Sequence, residues 1–223
     1  MHNKSKITFY DTTISSSAKK YLNDVINSNL ISAGRVSDSF EKKLSENIGM
    51  IHPVTVNSGT SALHLALEVA GIGSGDEVIL PGQTFIASGL SILMAGAKPV
   101  FSDIQYDSGN IDPESIENNI TKRTKAIMPV HWGGYPCDMD EIGNIDIEHN
   151  LVVIEDAAHA LGATYKNRAI GSISDFTAFS FQAIKHLTTG DGGALCCKDH
   201  IDYKIANDRR WFGIDRDNAK LSI

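Results

Sequence analysis

The sequence predicts an α/β protein in which a mostly parallel central sheet carries helices on both faces, and three observations support that class. Apolar runs of four to six residues, such as "VILP" at 78–81 and "LVVIED" at 151–156, lack the alternation of a half-solvated strand and read as strands buried on both faces. These runs take turns with segments of helical period, which is the pattern of strand–helix–strand crossovers. The unusual polar residues fall where the strands end, the edge at which such sheets hold ligands.

Composition sets the frame. The chain has 223 residues, 42% hydrophobic and 21% charged, enough for a sizeable core. Against 27 acidic residues stand 20 Lys and Arg spread along the chain, a net charge of −7, so no basic stripe invites nucleic acid. No window approaches the ~18 apolar residues of a membrane span, and the N-terminus has no apolar signal core, so a cytoplasmic location is expected. Cys137, Cys196 and Cys197 make an odd count without CxxC spacing. They read as small buried apolar residues rather than a disulfide framework or a metal site.

Taken in order, residues 1–50 hold two helices, one over about Ala18 to Ser28 and one opened by the cap candidate Ser37, with Phe40, Leu44 and Ile48 on one face. These are expected to pack over a sheet or a partner subunit. The core, 51–199, then runs strand "PVTVN", helix "GTSALHLALEVAG", strand "DEVILP", helix "FIASGLSILMAG" and strand "KPVFSD". A helix from Pro113, strand "KAIMPV", a helix from Asp138 to Asn150 with Asp138 as its cap, strand "LVVIED" and strand "FTAFSF" follow. A helix from about His200 to Arg210 comes last.

Four features at strand ends carry chemistry. After the first strand, "SGTSAL" places Gly59 in a turn and Thr60 and Ser61 at a helix start, whose free N–H groups and dipole suit an anion. Ordinary helix capping explains the same residues equally well. Asp156 ends "LVVIED" and is followed by small residues that would let a flat ligand approach. A buried carboxylate wants a partner, and a structural ion pair is the alternative reading. Ser180 offers a hydroxyl, and Lys185, in "FSFQAIKHLTTGDGGAL", stands just past a strand before a glycine-rich turn. A partly desolvated amine can lose its proton and attack a carbonyl to form a Schiff base. An anion cup, a carboxylate and an amine together meet the needs of pyridoxal 5'-phosphate.

"NSGTSALHLAL", "GDEVILPGQTFIAS", "IEDAAHALGATY" and "FSFQAIKHLTTGDGGAL" resemble successive motifs of the DegT family of pyridoxal-phosphate-dependent sugar aminotransferases, of the aspartate aminotransferase (type I) fold. The resemblance runs from "LISAGRVSDSFEKKLSENIG" to "RRWFGIDRD". It implies that Lys185 bonds to the cofactor aldehyde, that Asp156 pairs with the pyridinium nitrogen, and that Gly59, Thr60 and Ser180 hold the phosphate. It further implies that Phe85 stacks on the pyridine ring, against a bare-residue reading of core packing, and that His159 faces the ring or its 3-hydroxyl. His186 is left between a sugar contact and a turn cap; His131 and Trp132 read as loop lining. The implied reaction moves an amino group from an amino acid, expected to be glutamate, to a keto sugar carried on a nucleotide diphosphate, by a homodimer. Lys185, rather than the His of related dehydratases, favours transamination. Family members continue into a smaller C-terminal domain, so 200–223 is expected to begin a connection to it. A partner supplying that part, or a catalytically silent pyridoxal-phosphate-binding subunit, is the alternative.

Overall fold

The computed structural model describes residues 11–214. Helices α1 (Ala18–Asn27) and α2 (Arg35–Ile48) precede the sheet. The chain then runs β1 (Pro53–Val56), α3 (Gly59–Val69), β2 (Glu77–Pro81), α4 (Ile86–Met94) and β3 (Lys98–Ser102). It continues through α5 (Pro113–Asn119), β4 (Thr124–Ile127), α6 (Met139–His149) and β5 (Val152–Asp156). The short hairpin β6 (Thr164–Tyr165) and β7 (Arg168–Ala169), then β8 (Phe176–Ser180), β9 (Gly193–Cys197) and α7 (His200–Arg209), complete it. Residues 215–223 of the expected connection lie outside the described residues.

The seven-stranded sheet has the order β1-β9-β8-β5-β4-β2-β3. β9 is antiparallel to both β1 and β8, and the remaining pairings are parallel. The C-terminal ends of β1, β2, β4, β5 and β8 therefore share one edge with the first residue of β9, since Gly193 registers with both Val56 and Ser180.

Side-chain alternation divides the core. Val78, Leu80 and Ile154 pack with Leu63 and Leu67 of α3 and Ala206 of α7 on one face. Ile79, Ile127 and Val153 meet Ile116 of α5 and Ile142 and Ile145 of α6 on the other. Leu44 of α2 extends that second face beside Phe179 and Phe181. The three cysteines are buried and free.

Four sequence expectations are corrected. α2 starts at Gly34, whose carbonyl accepts from Asp38 N–H at 3.0 Å, so Ser37 lies inside the first turn and caps nothing. Asp138 occupies the N-cap position of α6 without capping, because its carboxylate instead accepts from Gln105 Nε2 at 2.7 Å. Edge strand β3 is not buried on both faces: Lys98 and Phe101 are exposed. The glycine-rich turn after Lys185 leads into a strand of its own, β9, which the turn chemistry conceals. α1 buries no side chain.

Candidate active site

At the sheet's carboxyl edge, α3 begins with Ser58 as its cap, Oγ accepting from Ser61 N–H at 3.1 Å. The cap is thus Ser58 rather than Thr60, and the N–H groups of Gly59 and Thr60 keep no acceptor among the described residues. Two glycines hold this turn against the neighbouring strands. A Cβ on Gly59 would come within 3.0 Å of Ser180 Cβ, and one on Gly193 within 2.5 Å of the Ser58 carbonyl. Gly59 and Thr60 thus open α3 with Gly59 pressed against Ser180, at a helix start whose dipole favours an anion.

Asp156 ends β5 almost wholly buried, at 6% exposure. It does not form the structural ion pair weighed from sequence: its partners are the Ser88 hydroxyl, donating to Oδ2 at 2.7 Å, and the Ala158 N–H, donating to Oδ1 at 3.1 Å. Each carboxylate oxygen has one protein donor, leaving lone pairs for a ligand. Sequence reading missed Ser88. The available signal was a pair of serines, Ser88 and Ser91, inside an otherwise apolar helix, both fully buried.

Phe85 sits at the N-cap position of α4 with 70% of its surface exposed, which overturns core packing as its role. Lys185 follows β8 in a loop tied by Lys185 N–H to Gln182 O at 2.9 Å and Thr189 N–H to Phe181 O at 2.9 Å. Thr188 Oγ1 also bonds Phe181 O at 3.2 Å and accepts from Gly190 N–H, so this turn is held without the exposed His186. Burial pushes the Lys185 ammonium toward the neutral amine, and the Asp156 charge opposes this without cancelling it. His159 lies with its ring 6.0 Å from that of Trp132. Burial, then the Lys185 charge, lowers its proton affinity, so the ring is neutral near pH 7.

One predicted loop residue has a different place. His131 is fully buried, and its Nε2 lies 2.7 Å from Glu155 Oε2. Burial works against charge on this ring. The Cys137 N–H points at Nδ1 from 3.1 Å and makes that nitrogen an acceptor, so the ring's proton sits on Nε2. Burial would raise the Glu155 carboxyl, but His131, Thr177 and Ser174 donate to it and hold it ionised. The backbone N–H of His131 bonds the Asp156 carbonyl at 3.1 Å.

The mostly parallel seven-stranded sheet with one antiparallel strand set into it has the α/β fold of pyridoxal-phosphate-dependent aminotransferases. The chain belongs to the DegT/DnrJ/EryC1/StrS aminotransferase family, whose model matches residues 12–222. It is 50% identical over 176 residues to the spore coat polysaccharide biosynthesis protein SpsC of Bacillus subtilis, covering 79% of this chain and 45% of that protein. It is 49% identical over 168 residues to the GDP-perosamine synthase of Caulobacter vibrioides, covering 75% of this chain and 45% of the relative. Among solved structures, DesI with its TDP-sugar product superposes with a TM-score of 0.87 at 33% identity, covering 93% of this chain and 53% of that one. The PLP-form of the putative sugar aminotransferase Spr1654 from Streptococcus pneumoniae gives 0.84 at 35%, covering 89% and 57%. The chain spans about half the length of the curated relatives it matches.

Proposed function

We propose that this chain carries the cofactor half of a sugar aminotransferase that moves an amino group from an amino acid, glutamate in our reading, to the keto group of a nucleotide-linked sugar. The observation that carries the reading is the meeting, at one sheet edge, of an amine eased toward neutrality by burial with a buried carboxylate whose oxygens each keep a free lone pair.

The residues present fit pyridoxal 5'-phosphate. The Gly59 and Thr60 N–H groups and the Ser180 hydroxyl suit its phosphate, Asp156 its ring nitrogen, the exposed Phe85 ring one of its faces, and His159 its 3-hydroxyl side. Bound there, the group supplies an aldehyde for an amine and a ring that accepts an electron pair. Lys185 Nζ, eased toward the neutral amine, would be the nucleophile that meets this aldehyde. As a free amine, Lys185 Nζ would serve as the general base and acid that carries a proton between the two carbons flanking the transferred nitrogen. Asp156 would keep the ring nitrogen protonated, its carboxylate held by the Ser88 hydroxyl and the Ala158 N–H.

The sugar assignment is supported by the names of relatives, a GDP-perosamine synthase and an aminotransferase crystallised with a TDP-sugar. Residues 51–199 form the cofactor core, and 200–223 lead toward a second domain. Two copies associate, in the cytoplasm; among the described residues no helix is long and apolar enough to cross a membrane.

The test is spectroscopic. Added pyridoxal phosphate should give a visible band that borohydride removes and that K185A lacks. A wild-type chain without such a band refutes the reading. Glutamate and UDP- or dTDP-4-keto sugar then report amine transfer, and a band without transfer favours a silent cofactor-binding subunit.

A further inference from the structure

Ser88 is the side chain through which helix α4 grips the carboxylate. It is fully buried, one turn past Phe85, and its Oγ lies 2.7 Å from Asp156 Oδ2 against 3.3 Å from the Phe85 carbonyl. A hydroxyl has one proton, and an ionised carboxylate only accepts, so the shorter contact fixes where that proton points. The Ser88 oxygen is then free to accept, and Thr84 Oγ1 stands 2.6 Å away to donate. Thr84 is half-buried in the turn that precedes Phe85. Two hydroxyls thus run in line from the mouth of the site to Asp156, polarising one another in the same sense.

We propose that Ser88, backed by Thr84, is a positioning residue for the proposed cofactor: it fixes the rotamer of Asp156 and limits how strongly that carboxylate draws the ring-nitrogen proton. This rests on the reading of the edge as a pyridoxal phosphate site. The geometry supports it because, among the described residues, Oδ1 is pinned only by the Ala158 N–H, so without Ser88 the carboxylate can rotate about that single bond. The same helix start carries both Phe85 and Thr84, so the ring-stacking residue and the hydroxyl relay move as one unit.

The experiment titrates pyridoxal phosphate into the full chain and its S88A, S88T and T84V variants, reading Kd and the pH midpoint of the visible band. S88A should weaken binding about tenfold, the scale of one hydrogen bond to a charged group, while S88T, which keeps the hydroxyl, stays within about threefold. T84V should weaken binding about twofold to threefold, since it removes only the second member. A less restrained carboxylate draws the ring proton harder, so the S88A midpoint moves upward and the S88T midpoint does not. Should S88A fold poorly by circular dichroism, S88T and T84V carry the comparison: T84V unchanged in both quantities, or S88T as weak as an unfolded chain, overturns the proposal. So does an S88A that matches wild type in Kd and midpoint. The underlying reading fails separately, through a wild-type chain that shows no Lys185-dependent band.

Discussion

Lys185 sits between opposed influences, burial favouring the neutral amine and the Asp156 charge favouring the ammonium, with burial the larger. The sign of the pH dependence follows. In the cofactor-free chain the Nζ should react with an acylating reagent with a midpoint below 10.5, the value of an ordinary lysine. D156N removes the one influence that raises it, so the midpoint should fall further. Peptide mapping of acylated Lys185 across pH measures both, and an unchanged midpoint in D156N would show that the carboxylate's field does not reach the amine. At this scale the candidate residues could be picked out of the sequence, because a lysine, an aspartate and a glycine-serine turn at strand ends are odd enough to be noticed. Ser88 was not, because a serine in an apolar helix looks like filler until the fold puts Asp156 beside it. His131 was misplaced for the same reason: its partner Glu155 lies 24 residues further on.

The elements explain how tightly the start of α3 is held. β9 enters the sheet between β1 and β8 with reversed direction, and Gly193 at its start presses on the Ser58–Gly59 peptide. G193A should therefore push the start of α3 away from Ser180. The backbone atoms it meets cannot swing aside as a side chain can, so the expected cost is about 1–3 kcal/mol of overpacking. Pyridoxal phosphate binding should weaken about tenfold or more. Thermal unfolding and a binding titration check the two, and wild-type values in both would remove β9 from the account. The opposite edge has another task. Glu77 at the start of β2 accepts from Thr121 at 2.6 Å, Arg123 at 2.8 Å and Lys98 at 3.1 Å, joining β2, β3 and the approach to β4. The Thr121 hydroxyl first, then Arg123 and Lys98, pull its carboxyl from 4.5 down to about 2. A lowered folded value means stability that is fully present above 4.5 and lost as pH falls toward 2. Urea unfolding across that interval should show E77Q losing less stability with acid than wild type; parallel losses would put the acid sensitivity elsewhere. The parallel strands and their helices could be read from apolar runs and helical period. β9, and the two-residue strands β6 and β7, could not, because glycine-rich turns and very short pairings leave no periodic trace.

At the scale of the whole molecule, α1 and α4 carry apolar faces that nothing covers among the described residues. α1 buries nothing although Tyr21, Leu22 and Ile26 line it, and on α4 Ile86, Leu90 and Leu93 form an exposed stripe spaced i, i+4, i+7, with Met94 beside it. Apolar stripes of this regularity mark surfaces that another chain covers. The α4 stripe matters more to the site, since the same helix opens with Phe85 and carries Ser88 on its buried side. A second copy packed on α4 would fix the helix whose start presents Phe85 and the Thr84–Ser88 hydroxyls. Dimer formation and cofactor affinity are therefore expected to move together. Sedimentation of the wild-type chain should give a dimer, and L90E/L93E should shift it to monomer at the same concentration. Pyridoxal phosphate affinity in that variant should drop even though neither residue reaches the site. A wild-type chain that stays monomeric at all concentrations rules out this assembly. A monomeric L90E/L93E with undiminished affinity would instead show that α4 holds its place without a neighbour, and that the sheet edge alone sets the geometry around Asp156.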